Sequence, residues 1–580
     1  MCNMEDKEII QDTVVETNEQ VQQEAAIAPQ KELTFDYNDP DYKKRKKKAS
    51  IIATSIVVAL IVMFGIVLWV WFFIVNYPII TFTHKNIDDL IIDYTISEDG
   101  QYITNINYDG YLPYSPSIFD ELFSRKVFLS QQGASDDKSA AENTAIIQNV
   151  IDTAKDYEAI YVDGNYKITS LQLKDNTSII INENCSLIGP TYEDGLNIEA
   201  IIWAKDATKI SIYGPGSICG NGTSYTKEAT DPTIFTPLES FNVKSRVLEA
   251  RYRIREAKDK DGVRPNIINF EDCENVKIYN VRLYESAYWT LRIKDSNDIA
   301  IKDIVIDNNV HVANADGIDL VSCQDVKITH CFIATADDGI VLKTNGEEDC
   351  KKVKVERCSI MSMANNFKIG TETIHDVYDV SVTNCYFFMP TNVCGGYAGV
   401  AIESADGANI KKVYVDNIYM KGVSSPMLIW LGHRFTGNKT KVMGSIKDVT
   451  VSNITAKDVE LASAITGCEY AGTKYRVQNV KVANFNVNYR NTKENLDVGE
   501  ANDEASMSGY PEITRVLHFY MSSHELSSYQ DMPAYGLFAR HVSNLKVYNL
   551  NINPRSCNTL PRDNITQAKD RYDVLDVSVN

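Results

Sequence analysis

DIAIKDIVID (298–307), DVKITHCFIA (325–334), KVKVERCSIM (352–361) and DVSVTNCYFF (379–388) repeat one pattern at intervals of 27 residues. Each reads apolar-x-apolar, a polar step around Asn, Asp or Cys, then apolar residues again. NVKIYNVRLY at 275, KVYVDNIYMK at 412, DVTVSNITAK at 448, NVKVANFNVN at 479 and NLKVYNLNIN at 544 carry it along the chain. Such alternation in short pieces predicts strands with one buried face. A fixed period of about 20–50 residues predicts a solenoid. Leucine-rich repeats share that period, but their leucine framework is missing here; the strands carry Val, Ile and Tyr. The expected fold is therefore all-β, a right-handed parallel β-helix over residues 126–555, with the hand set by the general preference of parallel crossovers. Neighbouring coils would lie ~4.8 Å apart, so residues one period apart come side by side.

SAAENTAIIQNVIDTAKD (139–156) has helical spacing and predicts an amphipathic cap over the open end of the stack. Residues 222–265 and 490–540 interrupt the repeat. The first ends in the charge-rich VKSRVLEARYRIREAKDKDGVRP, read as a helix and loop outside the coils. Insertions of this kind usually emerge on one face of a solenoid. Residues 556–580 read as a C-terminal tail.

Six basic residues, Lys43 to Lys48, precede an uncharged apolar stretch running from Ala49 to about Val75. It exceeds the ~20 residues that span a bilayer, and Trp69, Trp71 and Tyr77 suit its far interface. Residues 49–76 are thus expected to be a transmembrane signal-anchor helix. A cleaved signal peptide would have an apolar core of only ~7–15 residues, nearer the N-terminus. The basic cluster keeps residues 1–48 cytoplasmic, as a polar, acidic, disordered tail. Residues 77–125 become a juxtamembrane segment, and the rest lies outside a single-pass membrane protein. The net charge of −20 argues against nucleic acid as a partner. Twelve cysteines show no metal-ligand spacing. Cys323, Cys331, Cys358 and Cys385 fall in strand-like runs and read as small buried apolar residues.

Most Asp residues in such repeats form turns. Asp316 in NADGID (314–319) and Asp337 and Asp338 in ADDGIVLK (336–343) differ in arrangement, because 21 residues, close to one coil, separate Asp316 from Asp337. Stacked coils would bring three carboxylates together, and like charges that close raise each other's proton affinity. One can then stay protonated while another is ionised, which glycoside hydrolysis requires. Adjacent strand residues point to opposite faces, so a bulge or bend at Gly317 and Gly339 is expected to turn both acids outward. The alternative is that DG and DDG merely turn the coil.

The run from RPNIINFEDCENVKIYNVRLYESAYW (264–289) through NADGIDLVSC and ATADDGIVLK resembles glycoside hydrolase family 28, the polygalacturonase and rhamnogalacturonase family. The likeness covers roughly residues 126–490. It implies a right-handed parallel β-helix that cleaves pectic glycosides with inversion and uses neither metal nor cofactor. The family's Asn-Thr-Asp corresponds to Asn314-Ala315-Asp316, and its Asp-Asp to Asp337-Asp338. By that resemblance Asp337 is the general acid, with Asp316 and Asp338 positioning and deprotonating the water. Inversion implies at least one carboxyl pair roughly 6.5–9.5 Å apart.

Two family motifs are altered. Gly-His-Gly gives way to NNFKIGTETIHD (365–376), with Gly370-Thr371-Glu372 as the expected equivalent. Arg-Ile-Lys gives way to SSPMLIWLGHR (424–434). The RIK at 292–294 lies on an earlier coil. Asn314, Lys343, Lys368, Glu372, His433 and Arg434 are the expected substrate-binding residues, the cations offsetting the lost positive charge. A polysaccharide or oligosaccharide is the expected partner. Two other readings stay open: an inert β-helix that binds carbohydrate, and a polysaccharide lyase or epimerase. The lyase would need acidic metal ligands and an Arg base, and no such set is visible.

Overall fold

A computed structural model describes residues 87–579 and Lys44, with breaks at 93, 98–102, 107, 120–121, 157, 228–256, 259–262, 390–396, 460–461, 490–535 and 554–572. The expected anchor at 49–76, the tail at 1–48 apart from Lys44, and most of the two insertions and of the C-terminal tail lie outside the described residues. No helix among the described residues is long and apolar enough to cross a membrane.

The chain winds into a parallel β-helix. An 11-stranded parallel sheet runs from Leu171–Gln172 at one end to Leu537–Arg540 at the other. A 22-stranded sheet supplies the other two sides of the coils. One coil shows the plan: Ile318–Val321, Gln324–Thr329 and Phe332–Thr335 each pair in parallel with Ile340–Thr344, Cys350–Glu356 and Ser359–Ser362 of the next. From Val377–Phe388 onward two of these sides merge into single long strands.

The repeat's two apolar positions and two polar ones now have separate physical roles. Ile301, Ile328, Val355, Val382, Val415 and Val451 stack in register and are buried. Alternate residues of the same strands, such as Lys327 and Lys354, face water. The polar positions mark corners. Asp298, Asp325, Lys352, Asp379, Lys412 and Asp448, which open successive repeats, all have φ between 52° and 57°. So do Asp303, His330, Arg357, Asn384 and Asn417 at the mid-repeat step, between 53° and 56°. Asn and Asp tolerate the left-handed region better than other side chains, which accounts for their recurrence there. Their amides also bridge coils, as in Asn417 Nδ2 to Asn384 Oδ1 at 2.8 Å.

A helix at Ala140–Thr153 bears the capping box of Ser139 and Glu142 and buries Ile147, Val150 and Ile151. The 11-stranded sheet is the site sheet, and Gln148 exchanges two hydrogen bonds with the Gln172 backbone of its first strand, at 2.9 Å each. The nine described cysteines are free, and eight of them are buried.

The stretch expected as a juxtamembrane segment is, over its described residues, a strap packed on the outside of the coils. Leu90, Ile103 and Tyr111 form a second apolar cluster with Val305, Phe332, Met361, Tyr386 and Phe388. Tyr111 OH donates to Ser359 Oγ (2.7 Å), whose hydroxyl donates to Leu90 O (2.8 Å). The outward apolar residues of CFIA, CSIM and CYFF are the sequence trace of that contact. Ile328→Ala should lower stability by about 2–5 kcal/mol, the usual cost of a buried Ile-to-Ala cavity. Lys327→Ala, on the wet face of the same strand, should stay within about 0.5 kcal/mol of wild type in a denaturant titration.

Candidate active site

The site lies where the corners before Ile318–Val321 and Ile340–Thr344 stack. Extending their pairing, Ile318 to Ile340 and Ile340 to Phe367, puts Asp316, Asp338 and Asn365 in one column. Gly317 N donates to Asp338 O (2.9 Å) and Gly339 N to Asn365 O (2.8 Å). The chain bends at Gly317 and Gly339, with no bulge. Asp337 and Asp338 stand in the turn between Phe332–Thr335 and Ile340–Thr344, where strand alternation does not apply. The two glycines also serve close stacking. A Cβ on Gly317 would lie 2.3 Å from Gly339 O, and one on Gly339 would lie 2.6 Å from Asn366 O.

One oxygen from each of Asp316, Asp337 and Asp338 lies within 4.8 Å of the other two. Coil spacing brings Asp316 and Asp338 this close. Asp316 and Asp338 are buried, while Asp337 is partly exposed. Lys368 Nζ pairs with Asp338 Oδ2 at 2.9 Å, and Asn365 Nδ2 donates to Asp338 Oδ1 at 2.8 Å. Lys343 Nζ lies 3.4 Å from Asp316 Oδ2 and 2.7 Å from Asp319 Oδ1.

Burial, reinforced by the Asp338 charge, pushes the Asp337 carboxyl up to about 7. Burial and the neighbouring Asp319 also hold Asp316 well above the usual carboxylate range. For Lys343 burial works downward, yet Asp319 and Asp316 carry its ammonium above the ordinary value. Lys368 behaves alike, raised against its burial by Asp338 and Glu403.

The other expected residues divide. Asn314, at φ 59°, accepts from Arg264 Nη2 at 3.0 Å. Arg264 Nη1 also donates to Ala287 O (2.9 Å) and to Ala313 O, tying down the loop that carries Asp316. Arg434 is bound at both oxygens of Asp406 and donates to Thr371 Oγ1 at 3.0 Å. Its neighbour His433 packs against Tyr470, ring centroids 4.9 Å apart. Glu372 interacts electrostatically with Lys343, Asp319, Glu403 and Arg434.

Asn365 is the residue that follows Asp338 in the column. On the next coil Ala401 pairs with Lys368, so Ala401-Ile402-Glu403 follows Lys368-Ile369-Gly370. Gly370 is required there, with φ 116° and Glu403 O 2.6 Å from where its Cβ would be. Arg264, Trp289, Asp319, Asn365, Glu403 and Asp406 were not singled out from sequence. Asp319 was within reach, since it stands two steps past Gly317 on the strand's outward parity.

The profile of the glycosyl hydrolases family 28 matches residues 154–506. The chain belongs to that family. It is 26% identical over 246 residues to an endo-polygalacturonase of Pectobacterium carotovorum subsp. carotovorum, covering 42% of this chain and 56% of the relative. A probable polygalacturonase of Vitis vinifera is 25% identical over 224 residues, or 35% and 43% of the two chains. The chain thus spans about half the length of these relatives. Among solved structures, the family 28 exopolygalacturonase of Yersinia enterocolitica matches with a TM-score of 0.55 at 15% identity, over 78% of each chain. The exopolygalacturonase of Thermotoga maritima matches with a TM-score of 0.50 at 18% identity, over 63% of this chain and 88% of its own. At these identities the likeness concerns the fold.

A carboxyl whose folded pKa is raised stabilises the fold below its unfolded pKa and loses that contribution as pH rises through the folded value. For Asp337 the window runs from about 4 to about 7. Asp337→Asn removes the titration, so the difference in melting temperature between variant and wild type should grow in the variant's favour from pH 4 to pH 8. A pH-independent difference would contradict the assignment.

Proposed function

We propose that this family 28 member is a glycoside hydrolase acting on pectin-like or other polysaccharides. The observation that carries the reading is Asp337: a partly exposed carboxyl, pushed up to about 7, beside two others that are paired with lysines. It holds a proton near neutrality and can deliver it to a glycosidic oxygen. In this reading Asp316 and Asp338 orient a water and take up its proton. The hydroxide equivalent then adds to the anomeric carbon as the bond to the leaving oxygen breaks, with inversion. Asn314, through Arg264, keeps the Asp316 loop in place, while Lys343 pairs with Asp316 and Lys368 with Asp338. The short carboxyl spacing makes product stereochemistry the sharper test of this scheme.

The same proposal includes a right-handed β-helix outside the cell, held by the 49–76 anchor with residues 1–48 cytoplasmic. It is supported by the basic run before the apolar stretch and by the hand that parallel crossovers prefer.

Asp337→Asn should lower turnover ~10²–10⁴-fold, the usual contribution of a general acid, with substrate binding retained. Asp325→Asn, at an exposed corner, should leave turnover near wild type. Proton NMR of the first product should show the inverted anomer; retention would exclude the water-attack scheme. If no polysaccharide is cleaved while a glycan binds wild type and variant equally, the protein is a carbohydrate-binding β-helix. Protease added to intact cells should digest the region beyond Tyr77 and spare an epitope placed within residues 1–48; the reverse pattern would overturn the topology.

A further inference from the structure

The cations expected to meet a substrate already have carboxylates on their heads. Lys343 sits between Asp319 and Asp316, and the Trp289 ring covers it with its centroid at 3.7 Å. The Lys343 and Lys368 side chains are only 5% and 14% exposed. Lys368 is paired with Asp338, and Arg434 is held at two points by Asp406. Arg264, the remaining cation near Asp316 and Asp337, points its guanidinium at two carbonyls and the Asn314 amide.

Against these four stand seven carboxyls: Asp316, Asp319, Asp337, Asp338, Glu372, Glu403 and Asp406. Glu403 matters most. It is 2% exposed, its Oε2 is buried with no hydrogen-bond partner, and it interacts with Lys368, Asp338, Arg434 and Glu372. Ala401, beside Lys368 in register, adds only a methyl group. The coil that follows Lys368 therefore adds a carboxyl beside it, and the one further cation that acts on that carboxyl, Arg434, is already held by Asp406. Burial and its acidic neighbours raise the Glu403 carboxyl to about 7, Lys368 and Arg434 opposing them. The crowding is thus partly relieved by protonation within the site.

A uronate entering here would place one more carboxylate among these groups, and among the described residues no lysine or arginine of the cluster lacks an internal acceptor. A neutral sugar brings hydroxyl donors, which carboxylate oxygens accept well. We propose that the sugar whose bond is split at this site is uncharged, recognised through its hydroxyls, with Glu403 as a specificity-determining residue against uronates. This rests on the hydrolase reading above.

The test compares kcat/KM of the purified full-length protein in detergent on polygalacturonate, on carboxyl-reduced polygalacturonate and on a panel of neutral polysaccharides, scored by new reducing ends. A neutral polymer should be preferred at least tenfold over polygalacturonate, and at pH 8, where Glu403 is ionised, Glu403→Gln should narrow that preference severalfold by removing its charge. A preference for polygalacturonate would overturn the inference while leaving the hydrolase reading intact. A Glu403→Gln ratio equal to wild type would overturn the role given to Glu403. Release of reducing ends from none of the polymers would remove the hydrolase reading and this inference with it.

Discussion

The in-register parallel pairing of one coil with the next is the constraint from which the rest follows. Each corner residue lies beside its counterpart on the neighbouring coil, at the ordinary strand spacing of ~4.8 Å. In the core that rule stacks Ile on Ile and Val on Val, and at the corners it stacks amides that bridge coils. Before the site sheet it stacks Asp316 on Asp338, with Asp337 alongside. Nothing else in the fold forces three carboxyls together, and a slip of one residue would separate them. Gly317 and Gly339 guard the register, since any side chain there would collide with the next backbone.

Such crowding is costly unless protons and cations are distributed to relieve it. Lys343 and Lys368 do part of this from the outward face of the same sheet, each one coil beyond the acid it serves. The rest is relieved by protonation, centred on the partly exposed Asp337. The electrostatic arrangement that makes folding tolerable is thus the one that leaves a proton available at the surface of the site. Stability and chemistry draw on the same pairings, so the lysines cannot also be free to bind an anionic ligand.

Much of this was legible in the sequence. The repeat announced a parallel β-helix because its period and its two-residue alternation are direct images of coil length and strand pleat. The helix at Ala140–Thr153 was legible through its capping box and spacing. Asp316, Asp337 and Asp338 were legible because their separation is about one coil. What escaped was anything set by the exact register or by contacts between distant segments. Asn365 was missed because only the exact 27-residue register shows it standing one coil after Asp338. Glu403 and Asp406 look like ordinary strand and turn acids until pairing puts them beside Lys368 and Arg434. The strap was invisible because short apolar pieces such as Leu90 and Ile103 have no periodicity of their own.

Asp337 keeps its proton to near neutral pH because burial and the neighbouring Asp338 charge both disfavour its anion. Carbon-13 NMR of protein labelled at the aspartate carboxyls measures this directly. The resonance that disappears in Asp337→Asn should titrate at about 7, and should move toward the ordinary aspartate value in Asp338→Asn. Titration of that resonance near 4 in the wild type, unchanged by Asp338→Asn, would contradict the account.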